Sequence, residues 1–190
     1  MSNSSNSTGS LSAKTHMLIL CGVFAALTSI CAVISIPLPF SPVPVSLGTL
    51  AAFLAGGILG AKFGAVSQVI YILLGTVGLP VFAGFSAGVG VLAGPTGGYI
   101  IGYIAIACVV GLLCGRLKGS GVRAGVVLAL SMVLGTLACY ALGTAWFMYV
   151  TNTPLLVSLG MCVFPFIPGD AIKIVAASLL CARLRGFVPR

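Results

Sequence analysis

Among 190 residues only one side chain is a carboxylate, Asp170, and a lysine, Lys173, follows it three positions later. On a helix that spacing places both groups on one face, one turn apart. The surrounding stretch, from residue 155 to 183, is otherwise apolar enough to enter a membrane. A charge there costs about 2.5–3.5 kcal/mol at the bilayer centre on the insertion scale, and less near the interface. As chemistry, the pair offers an anionic acceptor for ligand N–H groups and a cationic donor for a ligand anion. The competing role is a helix cap, in which Asp170 follows Pro168-Gly169 at the positive end of the helix dipole and Lys173 merely neutralises it. A lysine so early in a helix opposes the dipole, and a cap does not require a buried cation. The polar-pocket role is therefore preferred.

Three tyrosines are positioned to add hydroxyl donors and apolar ring faces to such a pocket: Tyr71, Tyr99 and Tyr103. Tyr99 is the best placed of them, because it opens an apolar span beside a glycine-rich stretch. Trp146 and Tyr149 read as an interfacial aromatic belt first and as pocket walls second. Catalytic machinery is not in view. The chain holds no G-x-x-x-x-G-K-[ST] phosphate loop, and its one carboxylate and one histidine supply neither an acid and base pair nor a metal set. Its seven cysteines lie singly in apolar runs with no C-x-x-C spacing, which reads as packing. The expectation is a protein that is not an enzyme, with no cofactor and no metal.

The elements that must position the pair follow from composition. Hydrophobic residues make up 59% of the chain and charged residues 5%, far below the roughly 25% of a soluble domain. Apolar runs between breakers give six spans, at about 17–36, 46–61, 63–79, 97–115, 124–150 and 155–183, most of them long enough to cross a hydrocarbon core of about 30 Å. Pro165 and Pro168 are expected to break or kink the last span near Gly169. Residues 1–13, rich in Ser and Asn, read as a disordered tail and not as a signal peptide. Residues 14–190 read as one membrane domain.

The net charge of +8 points to topology, not to nucleic acid, because the basic residues stand singly or in small groups between the spans. Lys14, Lys62, Arg116, Lys118, Arg123, Arg183, Arg185 and Arg190 all fall on one side of a six-span arrangement, and the opposite connections carry no charge. The positive-inside rule then puts both termini in the cytoplasm. At 1.5 Å per residue Asp170 lies roughly 20 Å from Arg183, toward the outer end of the last helix. On that same side lies the uncharged glycine-rich connection 80–97, too apolar for an ordinary solvated loop. It is expected to fold back into the bundle and mark a cavity open to the outside, since irregular backbone survives at membrane depth only where protein or a polar cavity satisfies it. Small-x-x-x-small spacings at Gly22 with Ala26, Ala25 with Ser29, Gly56 with Gly60, Gly98 with Gly102 and Gly111 with Gly115 permit close helix approach, within the chain or to a partner.

Four segments carry a family resemblance: Pro42-Val43-Pro44-Val45, Gly78-Leu79-Pro80-Val81-Phe82-Ala83-Gly84, Gly94-Pro95-Thr96-Gly97-Gly98-Tyr99, and Pro168-Gly169-Asp170-Ala171-Ile172-Lys173. Over residues 14–185 the chain resembles the BioY family of biotin transporters. The resemblance implies a multi-pass protein of the bacterial plasma membrane, the substrate-binding component of an energy-coupling-factor transporter. Its implied partners are biotin, a transmembrane coupling protein and two cytoplasmic ATPase subunits. It implies further that the ureido ring of biotin meets Asp170, with Lys173, Tyr99 and the two glycine-rich segments, including Gly84, Ser86, Gly97 and Gly98, around it. Lys173 would balance Asp170 or meet the biotin carboxylate. The first helix's small-residue face, Gly22, Ala25, Ala26 and Ser29, looks like the family's docking surface for the coupling protein. The chain departs from the family pattern at Gly48, where members often carry Gln, and at Gly84-Phe85, where they carry a Gly-Gly pair. Two other readings stay open: a stand-alone transporter in which Asp170 takes up a proton, and a membrane assembly protein in which the pair only locks helix packing.

Overall fold

The computed structural model describes residues 5–115 and 122–184, with side chains over 14–115 and 124–184. The chain runs α1 (Ser5–Val33), β1 (Ser35–Leu38), β2 (Ser41–Ser46), α2 (Gly48–Thr76), a 3-10 turn (Ala83–Phe85), α3 (Val89–Ala93), α4 (Gly97–Gly115), α5 (Val122–Thr151), α6 (Leu155–Cys162) and α7 (Ile167–Leu184). The architecture is mostly helical. α4 is sandwiched between α2 and α5, α1 packs on the outside of α2, and α7 touches both α2 and α5. Among the described residues four helices are long and apolar enough to cross a membrane, Lys14–Val33, Gly48–Thr76, Gly97–Gly115 and Ala124–Thr151, and α6 with α7 pass the same test as one bent pair. Large apolar side chains face outward along them, among them Leu18, Ile19, Val23 and Ile30 on α1. A water-soluble bundle would bury such a stripe; a lipid-facing one exposes it.

α2 is not one rod. Gly60 sits at φ 80°, ψ 179°, outside the helical region. A Cβ placed on Gly64 would lie 3.0 Å from the carbonyl oxygen of Ala55, although nine positions of straight helix would separate them by roughly 13 Å. The chain therefore folds back at Gly60, and residues 48–59 lie against residues 61–76. The expected spans 46–61 and 63–79 are these two arms, joined with almost no loop. Only a residue at ease with positive φ permits so abrupt a turn.

Three expectations need adjustment. α1 continues back through Ser5, so residues 5–13, expected as a disordered tail, extend an already nucleated helix at little cost per residue; residues 1–4 lie outside the described residues. The connection 37–45 is a two-stranded antiparallel ribbon, pairing Ser35 with Ser46, Ile36 with Val45 and Leu38 with Ser41. Proline removes ladder donors without forbidding extended backbone, so a short proline-bearing ribbon forms where only a breaker was read. The last span bends by 52° between Cys162 and Ile167, ahead of Gly169. Pro165 occupies the break, whereas Pro168 stands in the first turn of α7, where its missing N–H costs nothing.

Glycines set the closest approaches. A Cβ on Gly111 of α4 would come within 2.5 Å of the Gly60 carbonyl carbon and closer still to the Ala61 backbone, while one on Gly22 would meet nothing within 4 Å. Backbone cannot yield as a flexible side chain can. Gly111→Val should therefore destabilise the protein by about 1–3 kcal/mol, the usual cost of overpacking. Gly22→Ala should leave stability within about 0.5 kcal/mol. Thermal melting in detergent checks both, and equal melting temperatures for the two variants would show that the α2–α4 contact is not limiting.

Candidate functional site

A cavity of about 510 Å³ opens at one end of the bundle, where the first arm of α2 begins, the second arm ends, and α4 and α7 start. Its floor is polar and almost wholly enclosed, with Asp170 4% and Lys173 7% exposed. The Lys173 ammonium donates to Asp170 Oδ1 at 2.9 Å, to Thr49 Oγ1 at 3.1 Å and to the Ser46 carbonyl at 2.6 Å. Three N–H groups thus meet three acceptors, and the ammonium has no donor left. Asp170 Oδ1 also accepts from Thr49 Oγ1 at 3.2 Å, and Oδ2 accepts from the Tyr140 hydroxyl at 2.5 Å. A carboxylate has about four acceptor positions, so Oδ2 keeps one unused. Isolated, either charge would cost several kcal/mol to bury; paired and hydrogen-bonded, the two are tolerated.

Local sequence explains the floor. Asp170 lies in the first turn of α7, with its amide bonded to the Phe166 carbonyl at 2.8 Å, so it is not the helix's N-cap. Its side chain turns to Lys173 instead, across the i, i+3 spacing. Ser46 ends β2 and Thr49 lies in the first turn of α2, so the step from ribbon to helix places a carbonyl and a hydroxyl within reach of one ammonium. Gly48, between them, leaves room for Tyr103: a Cβ there would sit 2.5 Å from the phenol oxygen, which shares a hydrogen bond with Ser46 Oγ at 3.1 Å. The space that a side chain at position 48 would need is filled by Tyr103.

The walls are aromatic. Tyr71 stacks on Tyr103 with ring centroids 6.1 Å apart and meets Phe82 edge-on at 5.6 Å. Two flaps form the rim. The ribbon is pinned to α5 and α6 by Val43, which packs with Phe147, Cys162 and Phe166. The segment 82–86 is pinned to the end of α2 by Phe82, fully buried in the space that Gly75 leaves open. The Gly84 amide donates to Ser35 Oγ at 3.1 Å and joins one flap to the other. Phe85, at φ 58° and 71% exposed, stands at the mouth.

Of the residues expected at a site, Asp170, Lys173, Tyr99, Gly84 and Ser86 all line this cavity. Gly97 and Gly98 do not. Gly97 is pressed against the Leu92 carbonyl, and Gly98 against Trp146 and Gly143, so their small size serves packing. Tyr99 contributes its ring, while its hydroxyl shares a hydrogen bond with Thr144 at 3.0 Å. Trp146, read as an interfacial anchor, donates its indole N–H to the Gly94 carbonyl at 3.0 Å and ties down the segment before α4. The first-helix positions divide: Gly22 and Ala26 are exposed, Ser29 is half-buried, and Ala25 is buried at 1%. Thr49, Ser46 and Tyr140 were missed. For Tyr140 a signal existed, since a tyrosine in mid-span, far from either interface belt, asks for a buried partner.

The family model described as "BioY family" matches residues 2–190. A biotin transporter BioY of Thermotoga maritima is 41% identical over 171 residues, covering 90% of this chain and 96% of that one. A probable biotin transporter BioY of Pyrococcus horikoshii is 39% identical, covering 91% and 98%. The crystal structure of the S-component for biotin from an ECF-type ABC transporter superposes with a TM-score of 0.84 at 30% identity, covering 97% of this chain and 95% of that one. With near full-length coverage in sequence and in fold, the chain belongs to the BioY family.

Proposed function

We propose that this protein binds biotin in the cavity above Asp170 and delivers it into the cell as the substrate-binding component of an energy-coupling-factor transporter. One observation carries the reading: a buried carboxylate, neutralised from behind by Lys173, presents an unused acceptor position on Oδ2 to an aromatic-walled cavity. A cyclic urea carries N–H donors suited to that acceptor, and charge-assisted bonds of this kind are roughly twice as strong as neutral ones. The Tyr140 oxygen, which donates its own proton to Asp170, retains a lone pair for a second N–H. Tyr71, Tyr103 and Tyr99 cover the apolar thioether ring and chain, and the cavity volume falls in the usual range for small-molecule sites.

In this reading the two arms of α2 are separate crossings and α6–α7 one broken crossing, so the chain spans the membrane six times. Lys62 at the fold-back and Arg183 near the end of α7 lie at the end of the bundle away from Asp170, as Gly57 facing Cys181 supports. That end is cytoplasmic by the positive-inside rule, with both termini, and the cavity opens outward. The segment 80–97 re-enters the outer half of the bundle as the cavity's roof. A transmembrane coupling protein and two ATPase subunits supply the energy, the former docking on α1 through Gly22, Ala26 and Ser29, with Ala25 beneath them.

Purified protein in detergent should bind biotin, and Asp170→Asn should weaken binding by more than tenfold, or about 1.4 kcal/mol, in isothermal titration. Undiminished binding by that variant would remove Asp170 as the ureido acceptor. Tyr140→Phe deletes one hydroxyl and leaves the apolar wall. It should weaken binding by a smaller factor than Asp170→Asn and shift the melting temperature by only a few degrees; an affinity equal to wild type would assign Tyr140 a purely structural part.

A further inference from the structure

If Asp170 holds the ring end of the ligand, the other end points toward the mouth, and among the described residues no free cation lines it. Lys173 is committed: its three N–H groups are spent on Asp170, Thr49 and Ser46. The other cations with described side chains, Lys14, Lys62 and Arg183, are absent from the cavity lining. Of the hydroxyls nearer the rim, Ser35 Oγ accepts from the Gly84 amide and offers one neutral O–H, while three others are turned inward on their own backbone. Ser41 Oγ donates to the Val43 carbonyl at 3.1 Å, Ser86 Oγ to the Ala83 carbonyl at 2.8 Å and Thr96 Oγ1 to the Val91 carbonyl at 3.4 Å. What favours an anion is the N-terminal end of α4, beside Thr96 and Tyr99. A helix dipole contributes about 0.3–1 kcal/mol at an exposed position and up to about 2 kcal/mol at a partly buried one such as this, roughly thirtyfold in affinity at most.

We infer that the site does not read the ligand's carboxylate, and that it accepts as ligands neutral amides and esters of the same ring-bearing acid. The inference rests on the biotin reading and sharpens it into a rule of selectivity: a hydrogen-bonding ring is obligatory, while the charge at the far end is dispensable. A hydrogen bond to a charged group contributes about 1.5–3 kcal/mol, or more than tenfold in affinity, so a dedicated carboxylate partner would be plain in competition.

The test is displacement of radiolabelled biotin from the full-length protein in detergent by unlabelled biotin, biotinamide, biotin methyl ester and a biotin methylated on a ureido nitrogen. The two neutral derivatives should compete within about thirtyfold of biotin, the most that the dipole alone accounts for, and the ring-blocked compound should fail. Biotinamide and the ester both weaker than biotin by a hundredfold or more would overturn the inference while leaving the biotin reading intact. Failure of biotin itself to bind would sink both. A Thr96→Val variant adds an independent arm: its selectivity between biotin and biotinamide should equal that of the wild type, and a change of tenfold would reveal a carboxylate contact at the start of α4.

Discussion

One lysine ammonium organises this protein's site. Lys173 binds a carbonyl from the end of β2, a hydroxyl from the start of α2 and the carboxylate one turn before it on α7, and so ties three segments together at a single point. In a chain with so little polar material, such a point has no substitute. Removing either charge would strand the other in an apolar interior, at a cost of about 3–5 kcal/mol in comparable buried pairs. The pair therefore has two tasks that cannot be separated. It fixes where α7 lies against α2, and in doing so it holds Asp170 in the lining of the cavity.

Glycine and tyrosine share the next level of organisation. Gly48 admits Tyr103, Gly75 admits Phe82, and Gly143 lies against the ring of Tyr99. In each case an absent side chain on one helix makes room for an aromatic ring that walls the cavity. Farther from the cavity the same device brings backbones together, with Gly56 against Ala107 and Gly111 against the fold-back at Gly60. The small-residue spacings seen in the sequence mostly serve the protein's own interior.

Much of this was legible in the sequence, for physical reasons that can be named. Asp170 and Lys173 stood out because charge is so scarce in this chain, and the proposed orientation rests on the sidedness of the remaining lysines and arginines. The two arms of α2 were visible because Gly60-Ala61-Lys62 interrupts an otherwise unbroken apolar run. Other features left no such trace. Ser46 and Thr49 acquire their importance only from Lys173, more than a hundred positions away, and no local pattern distinguishes them from any serine or threonine near a helix start. The ribbon was masked by its prolines, which read as breakers although extended backbone suits them well. Gly97 and Gly98 show the limit of a motif, since glycines in one look like close approach to a ligand, and here they are close approach to Leu92 and Trp146.

The rim is assembled from two flaps rooted in different parts of the bundle, the ribbon on α5 and α6 through Val43 and the 82–86 segment on α2 through Phe82. The hydrogen bond from the Gly84 amide to Ser35 Oγ crosses between them. Such a bond contributes about 0.5–1.5 kcal/mol net, a small fraction of what holds either root. The mouth is thus the most lightly braced part of the site: what joins the two flaps is weak beside what roots each of them in the bundle.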